Sequence, residues 1–270
     1  MRTTGIMTSR KWSAGLVILV VGLLALSAVG AERPYVVLQD GRRIEGSAIR
    51  ARRNGDIILT TERGDLTFAR NQYREAVAVR PRVLDQAQRA LQQGQYDRVV
   101  SELQNVVTEY QFLSWDLEAL VLIGRAQLGK EDYDAALATF NRLFQTNAAR
   151  REDPAARWPY YRAMLGTGQL DRLERELDAL AREGSRADAA LAQVMRGDVK
   201  RQRGRAEDAL LDYLRTAVLF QTEREARAEA LYKAGVVLEE LRDGRAREMF
   251  RKVVGDHRDS PFAARAQARL

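Results

Sequence analysis

Five segments between Gly94 and Phe250 repeat one pattern at nearly constant spacing. In each, a turn residue is followed two positions on by an often aromatic or apolar residue. A helix with two landmarks four residues apart comes next. The first landmarks are Val99, Ala136, Leu173, Ala209 and Ala246, at intervals of 37, 37, 36 and 37. The second are Leu103, Phe140, Leu177, Tyr213 and Phe250, at the same intervals. A period in the mid-thirties with helical patterning marks a helix–turn–helix array. Such arrays are surfaces for holding other molecules.

Ahead of the array the patterning differs. Short β-rich runs are expected at Tyr35–Leu38, Arg43–Ala51, Asp56–Thr61, Leu66–Ala69 and Tyr73–Val79. Asp40-Gly41, Asn54-Gly55 and Arg63-Gly64-Asp65 separate them, and Asp-Gly and Asn-Gly are strong hairpin signals because both positions accept positive φ. Five strands in so short a stretch are expected to curl into a small β-barrel-like domain, since that hides their apolar faces. In strand count and turns the segment resembles SH3-like and Sm-like barrels. Arg80-Pro81-Arg82 closes it, because proline ends a strand and restrains the residue before it. From Val83 onward apolar residues recur at three and four, as at Leu231, Ala234, Val237 and Leu238. The expected organisation is a segment 1–31, a β-domain 32–81, and a helical repeat domain 82–270.

The repeats carry a family resemblance. "IGRAQLGKEDYDAALATF" (Ile123 to Phe140) resembles a tetratricopeptide repeat, with Gly124, Tyr133, Ala136 and Phe140 in the family's packing positions. "LQQGQYDRVVSEL" matches through Gly94, Tyr96, Val99 and Leu103, and "RGDVKRQRGRAEDALLDYL" through Gly197, Gly204, Ala209 and Tyr213. "KAGVVLEELRDGRAREMF" matches through Gly235, Ala246 and Phe250, one residue shorter at its turn. In the third copy Tyr161 stands where a small residue belongs, so its two helices are expected to pack further apart or shift register. The resemblance implies a mainly α fold: an α-solenoid of about five helix pairs. The tail "DHRDSPFAARAQARL" resembles the ends of repeats in periplasmic envelope proteins, including the Tol-Pal coordinator and outer-membrane assembly lipoproteins. Ser260 and Pro261 suit an N-cap and first helical position. A helix from Phe262 to Leu270 would then cap the last repeat.

The N-terminus has the layout of a secretory signal. Arg10 and Lys11 precede an apolar stretch from Gly15 to Leu26, then Ser27-Ala28-Val29-Gly30-Ala31. Cleavage after Ala31 would leave Glu32 first and the protein in the periplasm. The alternative is an inner-membrane anchor formed by residues 13–31, which are uncharged and just long enough to span.

Composition removes most chemistry. There is no cysteine and one histidine, His257, so thiolate and His-cluster metal sites are excluded, as are cysteine nucleophiles. The net charge of +7 falls to 41 − 37 = +4 beyond residue 31, too mild and dispersed for a nucleic-acid surface. Gly124 to Lys130 fits seven positions of a phosphate loop, but Glu131 stands where Ser or Thr should hold magnesium. His257-Arg258-Asp259 spells a kinase tripeptide without its companion motifs. No catalytic residues, cofactor, metal or small-molecule substrate are expected, and the chain reads as no enzyme.

In the resembling family the concave face, lined by first helices, grips an extended peptide or a partner's helix. The projected inward positions pair up along the array: Leu84 and Gln88, Val121 and Arg125, Trp158 and Arg162, Val194 and Asp198, Tyr232 and Val236. Arg125, Trp158, Arg162 and Tyr232 are the residue types that most often anchor interfaces, so these four are the candidate partner-binding residues. Trp158 and Tyr232 have a second reading, as spacers between repeats. The family's carboxylate clamp needs Lys and Asn where Leu84, Val121 and Gln88 stand, so that specificity is not implied. The expected function is a non-catalytic exported scaffold that binds partner proteins of the cell envelope. The alternative is a peptidoglycan-binding or accessory module whose β-domain makes the contact while the solenoid acts as spacer.

Overall fold

Residues 33–270 are described by the computed structural model; the signal-like segment and its cleavage site lie outside the described residues. Six strands come first: β1 (Tyr35–Leu38), β2 (Arg43–Glu45), β3 (Ala48–Ala51), β4 (Ile57–Thr61), β5 (Gly64–Phe68) and β6 (Tyr73–Val77). The three expected hairpin turns are present, with Gly41, Gly55 and Gly64 at φ +87°, +86° and +108°. The expected single run Arg43–Ala51 is two strands, and the barrel is not closed. Strand order is β2-β1-β6 in one antiparallel sheet and β3-β4-β5 in another. The division falls at Gly46-Ser47, where consecutive amides serve different sheets: Gly46 N–H donates to the Pro34 carbonyl and Ser47 N–H to that of Thr60. A Cβ at Gly46 would sit 2.4 Å from the Thr60 carbonyl oxygen, so only glycine fits this corner.

The core of the β unit gathers Val36, Ile57, Leu59, Tyr73 and Ala76 from both sheets. It is completed not by strand closure but by Leu113, 4% exposed, from a loop between helices. That loop and the start of α3 also cover the outer edge of β6 and the residue just beyond it: Ser114 Oγ donates to the Ala76 carbonyl at 2.9 Å, and Trp115 Nε1 to that of Ala78 at 2.8 Å. Arg80 adds a bidentate pair to Glu118 at 2.6 and 2.7 Å.

Eleven α-helices follow among the described residues, ten of them as five pairs. They are α1 (Arg82–Gln92) with α2 (Tyr96–Glu109), α3 (Trp115–Gly129) with α4 (Tyr133–Thr146), and α5 (Pro154–Gly166) with α6 (Leu170–Glu183). Then come α7 (Arg186–Gln202) with α8 (Ala206–Leu219), α9 (Arg224–Glu240) with α10 (Ala246–Asp256), and α11 (Pro261–Gln267) alone. Each second helix packs on the first helix of the next pair as well as its own, which makes a solenoid. Asp132, Asp153, Ser185 and Ser260 cap α4, α5, α7 and α11 through side-chain oxygens. All five intra-pair turns pass through the left-handed region. Three use Gly94, Gly168 and Gly204, and two force it on Glu131 (φ 60°) and Arg242 (φ 57°).

Pair geometry follows side-chain size. In three pairs a glycine of the first helix lies under an aromatic ring of the second. A Cβ at Gly124 would come within 2.6 Å of Phe140, at Gly197 within 2.5 Å of Tyr213, and at Gly235 within 2.6 Å of Phe250. The third pair exchanges the sizes: Tyr161, 5% exposed, lies sixteen positions before Leu177, the spacing that separates Gly124 from Phe140. In line with the wider packing that Tyr161 implies, the backbones of α5 and α6 approach each other closely at far fewer places than those of the other pairs.

Candidate functional site

First helices line the inner face because their partners occupy the outer row. Residues of α3, α5, α7 and α9 converge there on a hollow of about 890 Å³. Its charged lining is Arg125, Arg162, Asp198, Arg201 and Lys233, with Pro159 and Leu165, and Tyr133 from the start of α4, among the other walls. Pro159, inside α5, cannot donate to the Ala155 carbonyl four residues earlier.

Beneath the hollow runs a charged network. Lys233 Nζ stands 2.6 Å from both Asp198 Oδ2 and Glu229 Oε1, and the Tyr213 hydroxyl donates to Asp198 Oδ1 at 2.7 Å. Burial works to lower the pKa of Lys233, but Asp198 and Glu229 outweigh it and raise it. Burial works to raise that of Glu229, and Lys233 with Arg162 overcomes it and lowers it. Both groups are therefore charged, and Lys233 is an ammonium with no nucleophilic lone pair. Burial, then the Asp198 charge, pushes the Tyr213 hydroxyl up, so it stays a donor. Nothing here resembles a poised acid–base pair; one ammonium is shared by two carboxylates, and Arg162 balances the second.

The four candidate residues separate into two sets. Arg125 and Arg162 are exposed and face the hollow. Trp158 and Tyr232 do not join them. Trp158 is half-buried against the core, edge-on to Tyr161 with centroids 5.7 Å apart. Tyr232 is 6% exposed, between Phe250 and Phe262 of α10 and α11, with the Arg265 guanidinium 4.6 Å from its ring. The cause is one helical turn. Leu84, Val121, Val194 and Tyr232 are buried, and Trp158 is half-buried beside the core. Of the residues four later, Gln88, Arg125 and Arg162 are exposed, while Asp198 and Val236 are partly buried. Lys233 was missed by projection, although its i,i+4 relation to Glu229 is a readable signal.

A tetratricopeptide-repeat family model matches residues 118–147 and 229–260. These ranges fall on the α3–α4 and α9–α10 pairs, two of those with glycine beneath a ring. These two helix pairs thus match tetratricopeptide repeats, modules that in general bind other proteins rather than catalyse reactions. No curated protein matches the chain. Among the described residues no helix is long and apolar enough to cross a membrane.

Proposed function

We propose that this protein is a non-catalytic scaffold of the cell envelope, exported by residues 1–31, that holds a segment of a partner protein on the inner face of its solenoid. The observation that carries the reading is the open hollow of about 890 Å³ lined by successive first helices, where Arg125 and Arg162 stand exposed on a rigid wall. Rigid placement lowers the entropic cost of binding, which suits a groove for an extended segment. The basic-then-apolar N-terminus ending in Ala31 supports export, with Glu32 as the first mature residue.

Site-specific photocrosslinking in the organism of origin tests it. A crosslinking residue at position 125 or 162 should trap exported proteins, whereas one at exposed Leu211 on α8 should not trap the same set. N-terminal sequencing of the mature protein should begin at Glu32. Identical crosslinks from both faces, or cytosolic partners only, would overturn the reading.

A further inference from the structure

Most charge in the hollow is already held by neighbours. Lys233 is paired with Asp198 and Glu229, and Arg201 with Glu240. Arg162 reaches Glu229 only at 3.9 Å, and Arg125 has no ionic or hydrogen-bond partner among the described residues. Accessible positive charge therefore rests on Arg125, which is unpaired among the described residues, and on Arg162, whose side chain is 60% exposed and only loosely held by Glu229; the two are equivalent positions 37 apart on successive first helices.

A second hollow, of about 420 Å³, shares Arg125 and is walled on its far side by the β unit through Tyr35, Glu75 and Val77. Its other carboxylates are held: Glu118 by Arg80 at 2.6 Å and Asp153 by Arg150 at 3.0 Å. Glu75 is exposed and meets no cation among the described residues. The accessible charges thus run from negative at the β unit to positive at α3 and α5.

We infer that the β unit is the end wall of the same groove, and that the occupant is an extended partner segment with two acidic residues opposite Arg125 and Arg162 and a basic residue opposite Glu75. Neighbouring helix axes lie about 8–10 Å apart, and a chain extended in the polyproline II conformation advances about 3.1 Å per residue and returns to the same face every third residue. The two acidic residues are therefore about three positions apart. This rests on the groove reading above and adds the β unit, the charge pattern and its spacing.

The test is a displayed library of random peptides of about twelve residues, roughly 40 Å when extended, selected on the full mature chain. Enriched peptides should carry an acidic pair about three apart and a basic residue to one side. In fluorescence anisotropy, affinity for such a peptide should fall about three- to tenfold in Arg125→Glu and Arg162→Glu, and again in Glu75→Arg. Reversing the peptide's acidic residues to lysine should restore binding to the Arg125→Glu, Arg162→Glu double variant. All three positions are on the surface, so the variants should melt like the parent. Dependence on Arg125 and Arg162 without dependence on Glu75 overturns the role of the β unit and leaves the groove reading intact. Enriched peptides indifferent to all three residues, or none enriched, overturn both.

Discussion

Placing alanine at position 124 sets two known effects against each other. Alanine is the better helix former by about 1 kcal/mol. Its Cβ would stand 2.6 Å from the Phe140 ring, which is 0% exposed and bounded by Phe144 and Tyr160 with centroids at 6.5 Å. A ring so enclosed cannot retreat, and overpacking of this kind costs about 1–3 kcal/mol. Gly124→Ala should therefore destabilise by about 1 kcal/mol net. Phe140→Leu alone leaves a small void and should cost about 1–2 kcal/mol. Together they reproduce the first repeat, where Ala87 and Leu103, both buried, stand sixteen apart as Gly124 and Phe140 do. In the Phe140→Leu background the alanine meets no ring, and its helix preference should make it neutral or mildly stabilising. Urea unfolding of the four proteins, followed by far-UV circular dichroism, gives the cycle. The expected coupling is about 1–2 kcal/mol, well above the ~0.3–0.5 kcal/mol seen for independent sites. Equal costs for Gly124→Ala in both backgrounds would refute the size-matching account of the repeats.

Other outcomes follow from single residues. Glu131→Gly and Arg242→Gly should each stabilise by about 0.5–1 kcal/mol in thermal melts, because both residues sit at positive φ; a loss of stability would show that their side chains matter more than the backbone. Leu113→Ala should cost about 2–4 kcal/mol and speed amide exchange in β1 and β6; unchanged protection there would sever the loop from the β core. Burial, with the Arg227 charge, holds the sole histidine, His257, below its ordinary pKa of 6.5. The unfolded chain then binds the proton first, so this contribution to stability is full above about pH 6.5 and declines as pH falls toward the folded value. His257→Phe should flatten that part of the curve, and imidazole NMR titration of the native protein should give a midpoint below 6.5.

The repeat array was legible because its turns, glycines and rings recur at fixed intervals, each reporting a local requirement. Even the looser α5–α6 pair could be read from Tyr161. The compensating Leu177 is visible only when each first-helix residue is compared with the one sixteen later. The β unit was legible as strands and hairpins but not as sheets. Nothing local at Gly46-Ser47 announces that adjacent amides bond to different sheets, and no strand pattern foretells a core filled by Leu113 from far along the chain. At the groove, Arg125 and Arg162 were readable from helical phase. Trp158 and Tyr232 lie one turn earlier, where a large ring is worth more in the seam between repeats than on the surface, and composition does not separate those uses.

The dependence of the β unit on Leu113 has a temporal side. Chains emerge from synthesis amino end first, at about 5–20 residues per second. All six strands are complete by Val77, yet the residue that fills their core comes thirty-six positions later. For about 2–7 s the nascent strands have no lid and the outer edge of β6 has no cover, and exposed strand edges invite mispairing. The first helix pair is made in that interval. Maturation of the β unit is thus gated by arrival of the α2–α3 loop, and a chain stalled before position 113 should be captured by holdase chaperones more readily than one released just beyond it.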